Sequence, residues 1–254
     1  MIEVKNLLDL GLASDCRVGL GLPESALETV RRRLAEAGSG LRVLSFESIH
    51  SMVSALKGGQ VDCAVRGTLS SAKVIETIKE TFSVRLVMRT AVLETPSGGQ
   101  FLLCPVGIDE GANREARLEI VERTLEYFSK VGWKMKIGIL SKGRPEDWGR
   151  SDEIATSLKD GEWLVGKLRA KGMDAEHYSI LIEKAVAESD LIVAPDGISG
   201  NLIFRSMHFL GSGKAYGAPI VNMARVFVDT SRAKRDFFDS VLLAAGLVQA
   251  RAGT

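Results

Sequence analysis

The sequence predicts an α/β protein made of two domains with mostly parallel sheets. Strand-like and helix-like segments alternate through the first ninety residues. Leu191, Ile192 and Val193 form an apolar run without alternation, which predicts a strand buried on both faces. The chain also has 254 residues and 45% apolar composition, enough for one large core or two modest cores.

The order of the elements predicts how the strands pair. We predict strands at 17–20, 41–46, 61–65, 84–93, 101–106 and 136–140, and helices at 24–37, 48–57, 113–131 and 177–188. A further helix begins at Ser151 and runs towards Lys171, with an interruption at Asp160 and Gly161. The βαβα order predicts parallel pairing through right-handed crossovers.

A Pro/Gly turn at 95–99 marks the candidate domain boundary. It predicts a first domain of residues 1–94 plus 213–254 and a second domain of residues 95–212. A hairpin turn within one sheet would have the same sequence pattern, so both interpretations stay open.

Composition excludes several classes of function. A net charge of +1 and sparse aromatic residues argue against a nucleic-acid partner. No apolar run is long enough to span a membrane, and the N-terminal segment lacks a signal-peptide core. Cys16, Cys63 and Cys104 are far apart and are expected to be reduced and buried, without a metal. We therefore expect a cytoplasmic protein with no membrane partner.

The turn after the strand at 191–193 resembles one found in the phosphate acetyl-, butyryl- and acyltransferase superfamily. The matching residues are Pro195, Asp196, Gly197, Gly200 and Asn201. In an open α/β sheet this edge binds ligands, because free backbone N–H groups and the positive end of a helix dipole point there. Capping and backbone freedom explain the same residue types without a ligand.

Three further segments carry candidate ligand-binding residues. Thr68 and Ser70 follow a Val-Asp strand, although hydroxyls at a helix start more often serve as caps. Ser141, Lys142, Gly143 and Arg144 follow another strand and could bind a phosphate, and a solvated basic loop is the alternative.

Ser231 and Arg232 resemble the Ser-Arg pair that opens the last helix of the same superfamily. We expect Thr230 or Ser231 to cap that helix and Arg232 to lie in its first turn. A cation there would oppose the helix dipole unless it binds an anion, and pairing with Asp229 or Asp236 is the alternative. His50, His177 and His208 have no Ser or acidic neighbour at a catalytic spacing, so we predict neither a triad nor a metal site.

The resemblance implies two α/β domains of the isocitrate and isopropylmalate dehydrogenase-like type, an interdomain cleft and a homodimer. It implies acyl transfer between phosphate and a thiol such as coenzyme A, which is a substrate, with no resident cofactor and no metal. Arg232 with Ser231 would bind phosphate, and Asn201 would polarise the acyl carbonyl. The family's base aspartate falls at Phe238, between Asp236 and Asp239. Its helix arginine is replaced by Glu76 and Thr77.

Three hypotheses follow. The first is an acyltransferase that acts on an acyl phosphate and a thiol. The second is a methyltransferase-related subunit or ligand-binding protein without acyl transfer, because the chain also resembles a short relative of these enzymes from methanogens. The third is a metal- and nicotinamide-dependent decarboxylating dehydrogenase, which the lack of an Asp-x-x-x-Asp run argues against.

Overall fold

The computed structural model describes residues 3–252 of the chain. Within them the helices are α1 (Val4–Leu12), α2 (Glu28–Glu36), α3 (Ile49–Lys57), α4 (Ser71–Phe82), α5 (Arg114–Ser129), α6 (Asp152–Ala170), α7 (Ile182–Glu188), α8 (Gly197–Phe209) and α9 (Phe238–Ala252). The strands are β1 (Arg17–Leu20), β2 (Arg42–Ser45), β3 (Cys63–Val65), β4 (Ala91–Glu94), β5 (Gln100–Cys104), β6 (Ile137–Ile139), β7 (Ala175–His177), β8 (Leu191–Val193), β9 (Lys214–Pro219) and β10 (Val226–Asp229).

The chain divides into two compact units. We call residues 3–87 with 216–252 the terminal unit, and Met88–Ala215 the central unit. The division into α/β domains predicted from the sequence, at residues 94 and 212, stays a prediction.

The terminal unit has a mostly parallel sheet in the order β2-β1-β3-β10-β9, in which only the β9–β10 pair is antiparallel. Helices α3 and α4 cover one face of it with a buried apolar cluster that includes Met52, Leu56, Ile78 and Phe227. Because β3 and β10 are parallel neighbours, their carboxyl ends meet at the same edge of the sheet.

The central unit has the strand order β4-β5-β8-β6-β7. The turn at 95–99 joins β4 to β5 as an antiparallel hairpin, and the other pairs are parallel. Strand β8 lies between β5 and β6 and is fully buried, as its apolar run predicts. The α/β class with mostly parallel sheets is therefore confirmed.

Several element bounds differ from prediction. Helix α6 runs from Asp152 to Ala170 without a break, so the predicted interruption at Asp160 and Gly161 is wrong. The segment predicted as a helix from 177 begins instead with the end of β7, and α7 starts only at Ile182. Cys16, Cys63 and Cys104 are buried and free, as expected.

Candidate functional site

The central unit brings Lys142 and Asp196 into direct contact. Their strands, β6 and β8, are parallel neighbours, so the residues that follow them meet at the same edge. The Nζ atom of Lys142 lies 2.8 Å from Oδ2 of Asp196 and 2.7 Å from Oε1 of Glu153. The hydrogen bond to Asp196 raises the pKa of Lys142, so its side chain is a charged ammonium group. The two carboxylates balance that charge.

Asp196 begins helix α8 in the manner of an N-cap. Its Oδ1 atom accepts a 2.7 Å hydrogen bond from the N–H of Ser199. Burial alone would raise the pKa of Asp196, but the hydrogen bonds from Lys142 and Ser199 outweigh it and lower that pKa. The carboxylate is therefore ionised and both of its oxygens have partners.

Gly200 and Asn201 attach α8 to the loop that follows β5. A Cβ atom on Gly200 would lie 1.9 Å from the carbonyl oxygen of Pro105, and one on Gly197 would lie 1.7 Å from that of Gly107. The Nδ2 atom of Asn201 donates a 3.0 Å hydrogen bond to the carbonyl oxygen of Val106. The glycines thus permit a close backbone approach, and part of the Asn201 amide is used within the fold.

Ser141 is buried beneath its loop, with 1% of its surface exposed. Its Oγ atom lies 2.6 Å from Nε2 of His177 and donates a 3.0 Å hydrogen bond to the carbonyl oxygen of Ser157. The Nδ1 atom of His177 lies 2.7 Å from Oε1 of Glu162. No Ser or acidic residue was expected at a catalytic spacing from His177, and the fold supplies both from distant positions in the sequence.

Gly161 makes room for this cluster. A Cβ atom there would lie 2.5 Å from Nε2 of His177 and 2.6 Å from Oγ of Ser141. The glycine that suggested a helix break is thus a packing requirement inside a continuous helix.

The rest of the predicted phosphate loop is split between core and surface. Gly143 is buried, and a Cβ atom on it would lie 2.7 Å from the side chain of Ile154. Arg144 is exposed, and its backbone N–H donates a 2.9 Å hydrogen bond to Asp147. The loop therefore presents Lys142 and Arg144 outward, but not the Ser141 hydroxyl.

A cavity of about 320 Å³ lies beside the Lys142–Asp196 pair. Its lining also includes Arg117, Thr156, Ser157 and Asp160. Arg117 is 3% exposed and donates a 2.7 Å hydrogen bond from Nη2 to Oδ2 of Asp160. The sequence alone does not single out Arg117, because a hydropathy pattern assigns an arginine to the surface.

In the terminal unit, the ends of β3 and β10 are held together by polar contacts. Arg66 and Asp229 form a buried ion pair, and the hydroxyl of Thr230 donates a 3.2 Å hydrogen bond to the carbonyl oxygen of Gly67. The segments carrying Thr68 and Ser231 therefore start from the same edge of this sheet.

Ser231 and Arg232 lie in a turn and not at the start of a helix. Helix α9 begins only at Phe238, so the predicted cap at Thr230 or Ser231, with Arg232 in the first helical turn, is wrong. The turn is stabilised by hydrogen bonds from the N–H groups of Ala233 and Lys234 to Ser231. Arg232 is exposed, and it makes no ion pair within residues 3–252.

The two candidate bases have different surroundings. Asp236 forms an ion pair with Arg33 and accepts a 2.9 Å hydrogen bond from the N–H of Phe238, whereas Asp239 is half-buried in the first turn of α9. In the sequence, Lys234 lies between Ser231 and Asp236, and its Nζ atom donates a 2.8 Å hydrogen bond to Ser240. Burial lowers the pKa of Lys234 to about 8, a feature that sequence analysis missed.

A second cavity, of about 630 Å³, lies between α3 and α4 in the terminal unit. Its lining includes Ser70, Lys73, Glu76 and Thr77. Ser70 precedes α4 but makes no side-chain cap, while the exposed Thr68 donates a 3.3 Å hydrogen bond to Gly21. Glu76 and Thr77, where the resemblance implies an arginine, thus place a carboxylate and a hydroxyl at this cavity.

Among residues 3–252, no group of three or more His, Cys, Asp and Glu side chains is placed to hold a metal ion. No helix in the same range is long and apolar enough to cross a membrane.

Sequence comparison connects the chain to proteins from methanogens, although no protein-family model matches it. It is 38% identical over 229 residues to the "Putative methyltransferase mtx subunit X" of Methanosarcina mazei, covering 90% of this chain and 82% of that protein. It is 34% identical over 223 residues to an "Uncharacterized methyltransferase" of Methanocaldococcus jannaschii, covering 85% and 89%.

Among solved structures, the fold is similar to that of a branched-chain phosphotransacylase from Enterococcus faecalis V583. The TM-score is 0.67 at 21% identity, with 93% of this chain and 99% of the other covered. A phosphotransacetylase from Streptococcus pyogenes gives a TM-score of 0.69 at 14% identity, with coverage of 98% and 99%. A 4-hydroxythreonine-4-phosphate dehydrogenase from Klebsiella pneumoniae gives 0.57 at 11% identity, with coverage of 96% and 86%. These similarities confirm the predicted phosphate acyltransferase-like fold.

Proposed function

This chain belongs to the family of the putative methyltransferase mtx subunit X, and from that premise we propose that it binds a phosphorylated small molecule at Ser231 and Arg232. The finer proposal is acyl transfer between phosphate and a thiol carrier such as coenzyme A. The observation that carries both is the exposed Arg232, which makes no ion pair within residues 3–252 and adjoins a hydroxyl at the carboxyl edge of a parallel sheet.

The surrounding charges support Arg232 over the other basic residues. Arg66 lies at the same edge of the sheet, but its charge is neutralised by Asp229. Lys142 in the central unit already contacts two carboxylates. A phosphate group accepts charge-assisted hydrogen bonds most favourably from a cation that has no competing anion. Arg232 meets that condition.

Acyl transfer would proceed by attack of a thiol on the carbonyl carbon of an acyl phosphate. The C–S bond forms, the C–O bond to phosphate breaks, and phosphate leaves with the electron pair. The thiol proton needs a base with a pKa near the working pH. Lys234 is the group we propose, since its pKa is about 8 and its backbone N–H bonds the Ser231 carbonyl oxygen.

Isothermal titration calorimetry with inorganic phosphate, acetyl phosphate and coenzyme A tests the binding proposal. We expect Arg232→Ala to weaken phosphate binding by about 1.5 to 3 kcal/mol, the range for hydrogen bonds to charged groups. Arg235→Ala is the matched control, because Arg235 is an exposed cation three residues away. Absence of heat with all three ligands, or an equal loss in both variants, would contradict the proposal.

Thioester formation from acetyl phosphate and coenzyme A distinguishes an acyltransferase from a ligand-binding subunit without acyl transfer. Production of acetyl-coenzyme A that falls in Lys234→Met supports acyl transfer. Phosphate binding without any thioester supports the second candidate, a methyltransferase-related ligand-binding subunit. That candidate is favoured by Phe238 and Glu76, which replace the aspartate and the arginine expected from the phosphate acyltransferases.

We also propose that the protein is a cytoplasmic homodimer. The proposal is supported by helix α8, on which Ile198 and Leu202 are 59% and 60% exposed, and by Leu210 just after it, which is 84% exposed. Large apolar side chains in one exposed region are typical of a protein interface. Light scattering would test it, and a monomer mass at micromolar concentration would contradict it.

A further inference from the structure

Thr77 on α4 is a buried residue whose hydroxyl group is not used by the fold. Its side chain is 4% exposed and lines the cavity of about 630 Å³. Within residues 3–252, its Oγ1 atom makes no hydrogen bond. Unlike the Nε and Nη1 atoms of Arg117, this oxygen is not closed to a water molecule. The Thr77 hydroxyl is therefore a free donor and acceptor that a molecule in the cavity can reach.

The unused hydroxyl is unusual for a threonine inside a helix. Such a residue commonly donates to the carbonyl oxygen four residues earlier, as Thr124 does on α5 with a 2.8 Å hydrogen bond to Ile120. Thr77 makes no such bond to Lys73. Buried polar groups nearly always have a partner, and an exception calls for one that lies outside the chain.

The charges around this cavity favour a cation. Glu47, Glu76 and Glu80 line it, with Lys73 and His50 as its basic residues. All three glutamates are exposed, and their carboxylates make no ion pair or hydrogen bond in the part of the chain that the structure describes. Three carboxylates against one lysine make the formal charge negative, so the cavity attracts a cation and opposes an anion.

The acidic side of the cavity is a single face of α4. Glu76 and Glu80 are four residues apart, a spacing at which two like charges destabilise a helix. Thr77 is three residues from Glu80 and shares that face. The helix dipole opposes a cation only in the first turn, and Glu76 is already the sixth residue of α4. An ammonium group has three N–H donors, which matches two carboxylates and one hydroxyl.

An organic cation fits this cavity better than a metal ion. A metal ion needs several oxygen atoms within about 2.0 to 2.6 Å of one point. Among the described residues, no group of three or more His, Cys, Asp and Glu side chains is placed to provide them. A volume of about 630 Å³ is instead typical of a site for a small organic molecule.

We propose that this cavity binds the protonated primary amine of a small organic molecule. Thr77 accepts a hydrogen bond from the ammonium group, and Glu76 and Glu80 balance its charge. The lining residues all belong to the terminal unit. The site assigns a cationic ligand to the protein, and it does not depend on phosphate binding at Arg232.

The test observes Thr77 directly in the intact protein. Threonine methyl groups are labelled with ¹³C, and the Thr77 resonance is assigned by its loss in Thr77→Val. The probes are 1,4-diaminobutane, its uncharged analogue 1,4-butanediol, and inorganic phosphate, each titrated at pH 7.5 and low ionic strength. We expect the diamine to shift the Thr77 resonance in a saturable way, and the diol and phosphate to leave it unmoved.

The hydroxyl is tested by calorimetry with 1,4-diaminobutane. Thr77→Val should weaken binding by about tenfold, since it removes a hydrogen bond to a charged group. The substitution keeps the side-chain shape and breaks no hydrogen bond within residues 3–252, so the variant should fold. Thr81→Val is the matched control, because Thr81 lies one turn later on α4, is half-buried and is outside the lining. It should leave the affinity unchanged.

The charges are tested in the same way. Glu76→Gln should weaken diamine binding by about twofold to fivefold, as expected for an exposed ion pair. Lys73→Met should strengthen it, because it removes a competing cation from the cavity. Glu183→Gln is the control, since Glu183 is an exposed carboxylate on α7 in the central unit. It should have no effect.

A Thr77 resonance that the diamine does not move would overturn the proposal, since an internal water would then explain the free hydroxyl. An equal shift with the diol would overturn the assignment to an amine, and so would equal affinities in Thr77→Val and the wild type. Arg232→Ala should leave the diamine titration unchanged. Failure of this site is therefore distinguishable from failure of the phosphate site.

Discussion

The Nε2 atom of His177 lies 2.6 Å from Oγ of Ser141, and this contact joins strand β7 to the loop that follows β6. The Ser141 hydroxyl also donates to the carbonyl oxygen of Ser157 on α6, and Nδ1 of His177 contacts Glu162 on the same helix. Ser141 is 1% exposed, so substrate does not reach its oxygen from solvent in this conformation. The cluster is therefore a polar junction that fixes the loop carrying Lys142.

Replacing His177 by Ala should destabilise the protein. Ser141 and Glu162 both lose a partner, and a hydrogen bond contributes about 0.5 to 1.5 kcal/mol. We expect urea denaturation to show a loss of about 1 to 3 kcal/mol in the free energy of unfolding. His50→Ala, at an exposed histidine, should change it by less than about 0.5 kcal/mol. Equal effects in the two variants would contradict a structural role for the junction.

Two glycines on helix α6 should respond in opposite directions to alanine. Gly161→Ala places a methyl group against His177 and Ser141, whereas Gly166→Ala meets no atom within 4 Å. Alanine is favoured over glycine in an open helix position by about 1 kcal/mol. Thermal unfolding should show a lower melting temperature for Gly161→Ala and a higher one for Gly166→Ala. Stabilisation by both substitutions would show that the packing at Gly161 is loose.

Lys234 should make the stability of the protein depend on pH in the alkaline range. Its pKa is about 8 in the folded state and 10.5 in the reference state, so between these values the unfolded chain binds more protons. The free energy of unfolding should therefore rise between pH 8 and pH 10.5, by about 1 to 3 kcal/mol. Lys234→Met should abolish this rise, and Lys130→Met, at an exposed lysine, should retain it. A rise of the same size in both variants would assign it to other groups.

The buried pair of Arg66 and Asp229 should be far more sensitive to substitution than a surface pair. Arg66→Met leaves a buried carboxylate without its cation, which costs about 3 to 5 kcal/mol. Arg32→Met removes an exposed pair with Glu36 and should cost less than about 1 kcal/mol. Urea denaturation would measure both, and a small loss for Arg66→Met would contradict the proposed role of the pair in joining β3 to β10.

The fold was predictable from the sequence because its signals are local. The buried strand at 191–193 has no alternation, and the first ninety residues alternate between strand and helix patterns. Asp196 also has the expected capping geometry. The start of α9 was predicted too early because Ser231, seven residues before the helix, forms a turn of its own. At the helix start itself, Asp236 accepts the hydrogen bond from the N–H of Phe238.

The polar centres were less predictable because their partners are distant in sequence. Arg117 is separated from Asp160 by 43 residues, and His177 from Ser141 by 36. On α5, Leu118 and Leu125 are only half-buried, while Arg117 is buried. A hydropathy pattern assigns an arginine to the surface, and only the opposing carboxylate makes its burial possible.

The backbone contacts of α8 have a mechanical consequence for the cavity beside it. With Gly197 and Gly200 resting directly on the chain at Gly107 and Pro105, the first turn of that helix cannot move closer to this loop, and the hydrogen bond from Asn201 to Val106 opposes movement away from it. Asp196 is therefore a fixed wall. The ammonium group of Lys142 lies at the end of a long flexible side chain and can change position. An incoming molecule would therefore contact a rigid side of the cavity at Asp196 and an adjustable side at Lys142.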